Sequence, residues 1–464
     1  MSEKIPKKLM SMAWILVIGG LPPMLDSTMV NIAIPNFVTV FHSTLSQVQW
    51  VTSIYLLALS IAIPFSGWLI NHFDGRIAYL SAQLIFLVGS ISASLSSNLS
   101  WLIIARVIQG FGAGLIVPML TTLLVQMAGP HFKQVMVVVS LPMMIGPVLG
   151  PSIGGLIMNS LSWQWIFIVN VPVIAIAIIG IFWKLPAMPA QNKKKKFDFV
   201  GTALFAGFTT SLIYAVVEGG KDFWNDTTRP YILLGLALFI LYIIWAYFRK
   251  EKAVLPLHIF TYRSYVGATM GLILFGVVMN GTAIMLTTYF QAGRGFSALD
   301  AAFAILPQGL GMFLSRIFSR KLMDVISLRS IVMGAAVLVA GGLFALTTTD
   351  ENTSLVLISA ILFVIGAGTN DIFMPLMIDA YTGMPKSDVP EATIGTRIFQ
   401  NIGGAYGTSI VSIVVANQLT HLLTVDHYHF SPHVYTLALQ SGFLLLAVLA
   451  LLVILPASLL NKKK

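Results

Sequence analysis

Apolar runs of about twenty residues recur along the whole chain, separated by short polar loops, and this recurrence limits the fold more than any single motif does. As a helix rising 1.5 Å per residue, a run of that length crosses the roughly 30 Å hydrocarbon layer of a bilayer. Fourteen spans are read, at about 12–34, 48–70, 79–97, 101–123, 134–158, 164–184, 199–218, 230–248, 264–290, 299–319, 330–347, 354–377, 393–417 and 435–460. Strands of a membrane barrel would alternate apolar and polar residues over about ten positions, whereas these runs are continuous. Of 464 residues 57% are hydrophobic and 9% charged, against roughly 25% charged in soluble domains. The expectation is an all-α integral membrane protein with no separate soluble domain. The opening segment has a basic flank but no small-residue cleavage site, so the first span is expected to stay as an anchor.

The net charge of +10 is explained by its placement rather than by nucleic-acid binding. With the N-terminus cytoplasmic, 21 of the 27 basic residues fall in inner loops and tails, including Arg76, the run Lys193 to Lys196, Arg320, Lys321 and Lys462 to Lys464. Only Lys221, Arg229 and Arg294 fall outside, and Arg106, Arg316 and Arg397 lie within spans. That asymmetry predicts both termini in the cytoplasm. The Lys193 to Lys196 run reads as an anchor beside anionic lipid rather than as a ligand site.

The fifth span carries Gly146-Pro147-Val148-Leu149-Gly150-Pro151-Ser152-Ile153-Gly154-Gly155. Glycines every fourth residue strip one helix face to backbone, so a neighbouring helix can approach closely. Each proline removes a backbone donor and kinks the helix. A weak internal repeat relates the loop Gly67 to Arg76 to the loop Arg320 to Arg329: Asn71 aligns with Asp324 and Arg76 with Arg329, with Asp74 between the first pair. The repeat implies an N-terminal six-helix half (1–186), an inserted pair of helices with basic flanks (187–252) and a C-terminal six-helix half (253–464).

Charged side chains inside spans are costly, on the order of 3 kcal/mol near the bilayer centre, and therefore point to function or to a partner. Asp26, in the first span about nine residues from its expected outer end, is the foremost candidate. Desolvation there favours the neutral acid and suits it to proton exchange, unless Thr28, Asn31 or an arginine locks it structurally. Arg106, about five residues deep in the fourth span, could share its level; the alternative is an arginine snorkelling to the headgroups. Asp371 and Arg397, both toward the cytoplasmic end of their spans, are expected to form a gate or a static bridge, and Asp371 joins Asp26 and Arg106 as a candidate for proton coupling, next in line after Asp26 as the carrier. Glu218 reads as a solvated rim residue.

Other chemistries find little support. The chain has no cysteine, so disulfides and thiolate sites are absent. His421, His427, His429 and His433 cluster before the last span without recognised zinc spacing, and no phosphate-binding loop is present to use ATP. Neither an enzyme, a metal site nor a cofactor is expected.

The motifs converge on one family. The chain resembles the fourteen-helix drug:proton antiporters of the major facilitator superfamily through three patterns. These are L-D-x-T-x-V-N-x-A-x-P on Leu25, Asp26, Thr28, Val30, Asn31, Ala33 and Pro35; R-x-x-Q-G on Arg106, Gln109 and Gly110; and G-x-x-x-G-P-x-x-G-G on Gly146, Gly150, Pro151, Gly154 and Gly155. It departs from the family after the second helix, where Asn71 and His72 replace an aspartate and an arginine and Asp74 replaces a glycine; Asp324 keeps the acid in the second half, next to Val325. The resemblance implies a major facilitator fold of two six-helix halves plus two inserted helices. It also implies a monomeric, proton-coupled exporter of amphipathic, drug-like compounds in the bacterial cytoplasmic membrane, with protons, substrate and lipid as its partners. A dedicated exporter of one metabolite, lipid or amino acid, and a non-transporting receptor, are the alternatives.

Overall fold

In the computed structural model, which describes residues 6–128, 135, 149–190, 197–219, 225–350, 352–385, 388–424 and 431–461, every regular element is a helix. The long ones are α1 (Lys7–Val40), α2 (Trp50–His72), α3 (Gly75–Ser94), α4 (Leu99–Ala128), α5 (149–160), α6 (Asn170–Lys184) and α7 (Phe199–Gly219). They continue as α8 (Arg229–Arg249), α9 (Arg263–Thr288), α10 (Ala298–Val325), α11 (Leu328–Leu346), α12 (Leu355–Asp379), α13 (Val389–Thr424) and α14 (Pro432–Leu452). Thirteen helices among the described residues are long and apolar enough to cross a membrane. The expected fifth span lies mostly outside the described residues, Gly146 included, and α5 is its described end.

Side-chain caps begin several of these helices. Asp74, Ser297, Ser327, Ser354 and Ser431 each accept hydrogen bonds from backbone N–H groups of the first turn, satisfying donors that a helix start otherwise leaves open. The surface is apolar to a degree no water-soluble protein sustains: Trp183 is 78% exposed, Phe248 76% and Val356 80%. Hydrocarbon rather than water is the solvent for those faces.

The chain packs as two units. The first comprises Met1–Ala33 and Ala58–Phe197, the second Ile34–Leu57 and Asp198–Lys464. Within the first unit α3 lies along α4 and also packs on α6. It is tied to α1 by hydrogen bonds from Tyr79 Oη to Leu16 O (2.9 Å) and from Gln83 Nε2 to Gly19 O (3.0 Å). The glycine face of α5 meets α1: a Cβ on Gly150 would stand 3.0 Å from Leu25 O, and one on Gly154 would stand 3.0 Å from Met29 O. Any side chain there would drive the two helices apart.

Within the second unit α9 lies along α13, α12 packs on α10 and α11, and α14 packs on α11 and α13. The seam of α5 on α1 recurs here. Gly403 and Gly407 of α13 bring their backbone against Ile273 and Val277 of α9 at the same four-residue spacing. The pair α7 and α8 is joined at its base by Asp198, 4% exposed. Its Oδ1 accepts from Gly201 N (2.9 Å) and Trp245 Nε1 (2.8 Å), and its Oδ2 accepts from Val254 N (3.2 Å). One carboxylate thus caps α7, holds the end of α8 and fixes the connection to α9.

Asp198→Ala leaves one buried and two half-buried donors without this acceptor and is expected to cost about 2 kcal/mol, read as a lower melting temperature of the purified protein in detergent. Asp226→Ala, which removes the solvent-exposed partner of Arg229, is expected to leave the melting temperature unchanged.

Candidate functional site

Four helices of the first unit converge on Asp26. The carboxylate is 0% exposed and Arg106 of α4, also 0% exposed, donates from Nη1 to Oδ2. Gln109, one turn further along α4, donates from Nε2 to Oδ1 (3.0 Å) and receives a second bond from Arg106 Nη1 at its Oε1 (2.6 Å). Asn170, at the first position of α6, also donates to Oδ1 (3.1 Å). Gln109 Nε2 further bonds Ser90 Oγ of α3 (2.9 Å), and the Arg106 guanidinium lies 5.9 Å from the ring centre of Phe167. Both carboxylate oxygens are therefore claimed, the formal charges cancel, and no water reaches the pair.

The arrangement follows from local sequence. Arg106 and Gln109 are three residues apart and so share a helix face, while Gly89 lets α3 close on the backbone of Gln109. Sequence reading anticipates Asp26 and Arg106 at one level, and the structure brings them together. Asp26 stands farther from the end of its helix than expected, because α1 runs on through Pro35 to Val40. Thr28 is not a partner; its hydroxyl bonds Leu25 O (3.1 Å). Asn31 is buried with its Oδ1 unpartnered among the described residues. Asn170 escaped the sequence reading, although a lone amide inside the apolar run Ile166 to Ile174 was the available signal.

The other motif residues are positioned as follows. Gly150 and Gly154 form the seam on the turn of α1 that carries Asp26, with Gly155 buried and Pro151 half-buried beside them. Asp74, where the family has glycine, is the N-cap of α3 and also accepts from Met188 N (2.8 Å). Arg76 donates to Phe182 O near the C-terminus of α6 and stacks 5.2 Å from the Phe182 ring centre, a favourable place for a cation at a helix end. Gly67 faces open space and Asn71 is half-buried. In the repeated loop Ser327 caps α11 as Asp74 caps α3; Arg329 is half-buried, and the Asp324 side chain lies outside the described residues.

The expected pair of Asp371 and Arg397 does not form. Asp371 of α12 accepts instead from Ser315 Oγ of α10 (2.7 Å), from Ser319 Oγ of α10, and from Asn370 Nδ2 (3.1 Å). Arg397 of α13 is exposed. The reason is packing: α12 lies on α10 and α11 and α13 lies on α9, so these chain neighbours share no extended contact. Outside the spans Asp388 collects Tyr262 Oη (3.2 Å) and His258 Nε2 (3.3 Å). Desolvation first, and the adjacent carboxylate second, raise the pKa of the Tyr262 hydroxyl.

The recurring seams put the two units in register and show how their polar content differs. Leu25 answers to Ile273, and Gly89 on Gln109 answers to Gly342 on Ile365. Asp26, Arg106, Gln109 and Ser90 then correspond to Leu274, Leu362, Ile365 and Leu343. In the other direction Asp371, Asn370 and Ser315 correspond to Leu115, Gly114 and Ala62. The acid and its amide partner in each unit thus stand where the other unit has apolar residues or glycine, while Ser319 answers to a second serine, Ser66.

A family profile described as Major Facilitator Superfamily matches residues 16–408. The chain is 29% identical to the multidrug resistance protein B homolog of Mycobacterium tuberculosis, over 90% of this chain and 78% of that protein. It is 27% identical to the lincomycin resistance protein LmrB of Listeria monocytogenes, over 88% of this chain and 87% of that one. Among solved structures it matches a bacterial homolog of the human lysosomal transporter Spinster with a TM-score of 0.69 at 13% identity, covering 98% of both chains; at that identity the likeness concerns the fold alone.

Arg106→Met strands the buried Asp26 carboxylate and is expected to destabilise the protein by about 3–5 kcal/mol. Adding Asp26→Asn removes the uncompensated charge and is expected to restore most of the melting temperature lost by Arg106→Met.

Proposed function

Because the chain belongs to the major facilitator superfamily of membrane transporters, we propose that it is a proton-coupled exporter that exchanges inward-moving protons for amphipathic, cationic or neutral organic compounds. The observation that carries this reading is the closed environment of Asp26. A carboxylate whose charge is balanced by Arg106 takes up a proton when that pairing is broken, and its protonation in turn weakens the pairing. Two conformations that differ in this contact are then biased in opposite directions by the proton, which is what coupling requires. The printed names of the relatives, multidrug resistance and lincomycin resistance, support organic compounds as cargo.

In this reading the protein works as a monomer in the cytoplasmic membrane with both termini inside, a topology supported by the 21 inner basic residues against three outer ones. The glycine faces of α5 and α13 hold α1 and α9 closely within their own units, which suits alternating access by rigid bodies. Arg76 and Asp74 brace the end of α6 against the start of α3, so that the first unit can move as one body. The energetics suffice: one proton crossing about 100 mV supplies roughly 2.3 kcal/mol and each pH unit about 1.4 kcal/mol. Together they sustain a gradient of a neutral compound on the order of a hundredfold. For a monovalent cation exchanged one for one, the voltage cancels and about tenfold per pH unit remains.

In liposomes carrying an imposed pH gradient, wild-type protein is expected to move protons when lipophilic cations are added, and Asp26→Asn is expected to lower that flux at least tenfold. Undiminished flux in the variant would move the proton carrier away from Asp26. The cysteine-free chain also permits a clean topology test. A membrane-impermeant maleimide added to intact cells is expected to label Thr227→Cys and to leave Ser330→Cys unlabelled.

A further inference from the structure

Asp371 treats its two oxygens unequally, and the inequality suggests a use. Three donor groups surround Oδ1: Ser315 Oγ at 2.7 Å, Asn370 Nδ2 at 3.1 Å, and Ser319 Oγ, whose one hydrogen is also within reach of Ser315 O at 2.8 Å. Ser315 and Ser319 are one turn apart on α10, and Asn370 Nδ2 also bonds both hydroxyls, at 3.2 and 3.0 Å. The supporting shell is itself buried, with Ser319 2%, Asn370 7% and Ser315 9% exposed. Oδ2 has no donor among the described residues, and Asp371 is half-buried, so that oxygen stays accessible. No basic side chain among the described residues lies within 4 Å of either oxygen.

Donor groups gathered around one oxygen suit an anion, since an ionised carboxylate only accepts. They also fix its orientation, leaving Oδ2 as the one acceptor of the carboxylate without a donor among the described residues. Asp26 is built the opposite way, with both oxygens claimed, an arginine beside it and no exposure. An anion in a span needs a counter-charge; among the described residues Asp26 has one and Asp371 has none within 4 Å.

We propose that Asp371 is the recognition point for the positive charge of a cationic substrate, with Ser315, Ser319 and Asn370 as positioning residues. This rests on reading the protein as an exporter of organic compounds, and it divides the labour: Asp26 answers to protons and Asp371 to the charge of the cargo. The substrate class it selects is a lipophilic monovalent cation whose charge can approach a carboxylate oxygen while its apolar body stays out of water. A preorganised carboxylate gains more from such a cation than a mobile one, because no side-chain freedom remains to be lost.

The test compares binding of tetraphenylphosphonium and of uncharged triphenylphosphine oxide to the purified full-length protein in detergent, by equilibrium dialysis. In the wild type the cation is expected to bind more tightly. Asp371→Asn is expected to weaken the cation about tenfold and the neutral compound less than twofold, and Asp371→Glu is expected to restore the preference. Ser315→Ala with Ser319→Ala is expected to lower the same ratio by a smaller factor. An equal loss for both compounds, or an unchanged ratio in Asp371→Asn, overturns the assignment while leaving the exporter reading intact. A wild type that binds neither probe overturns the substrate class and this assignment with it. Should Asp371→Asn fail to fold, carbodiimide labelling of Asp371 in the wild type decides. Protection by tetraphenylphosphonium but not by triphenylphosphine oxide supports the proposal, and equal labelling with and without the cation refutes it.

Discussion

An ion pair closed off from water cannot be shared out to the solvent, and the Asp26 to Arg106 contact imposes that condition on the first unit. Both side chains are 0% exposed, so every remaining lone pair and donor has to be met by protein. Gln109 and Asn170 complete the carboxylate, Gln109 also engages the guanidinium, and Ser90 takes the amide hydrogen left over. These partners come from α3, α4 and α6, which fixes how those helices face α1. Loss of either charge would leave the other buried without compensation, so the pair holds the helices together and senses any change in their spacing.

The glycine seams supply the complementary constraint. Gly150 and Gly154 bring α5 onto the turn of α1 that holds Asp26, and Gly403 and Gly407 do the same for α13 on α9. Without a hydrophobic driving force between helices in lipid, close backbone approach is what makes a contact tight. The same approach lets two helices shift without side chains interlocking. The repeat therefore conserves its joints and varies its content: one unit places an acid paired with arginine beside its seam, and the other places Leu274 there and carries an acid held by serine and asparagine on a different pair of helices.

Legibility in the sequence followed the range of the interaction. Asp26, Arg106 and Gln109 were recognisable because polar groups in an apolar run stand out, and because three-residue spacing puts two of them on one helix face. The seam was recognisable from its four-residue period. Asn170, Ser315 and Ser319 were not, since an asparagine or serine in a membrane helix commonly bonds a backbone carbonyl within its own turn, as Thr28 does here. The anticipated Asp371 to Arg397 pair failed because it took helices adjacent in the chain for helices adjacent in space.

The sequence by itself determined that this chain is helical and membrane-embedded, with loops short enough to be capped locally. Lipid leaves a backbone no partner but its own helix, and apolar length alone then decides which residues are inside. It also determined where charge would be expensive. Tertiary structure alone decided which of those charges would be compensated, because compensation depends on which helices touch, and that is set by packing between segments 52 to 144 residues apart. It gave Asp26 an arginine and two amides and gave Asp371 three donor groups around one oxygen, two carboxylates that look alike in the sequence and differ in everything their surroundings allow them to do.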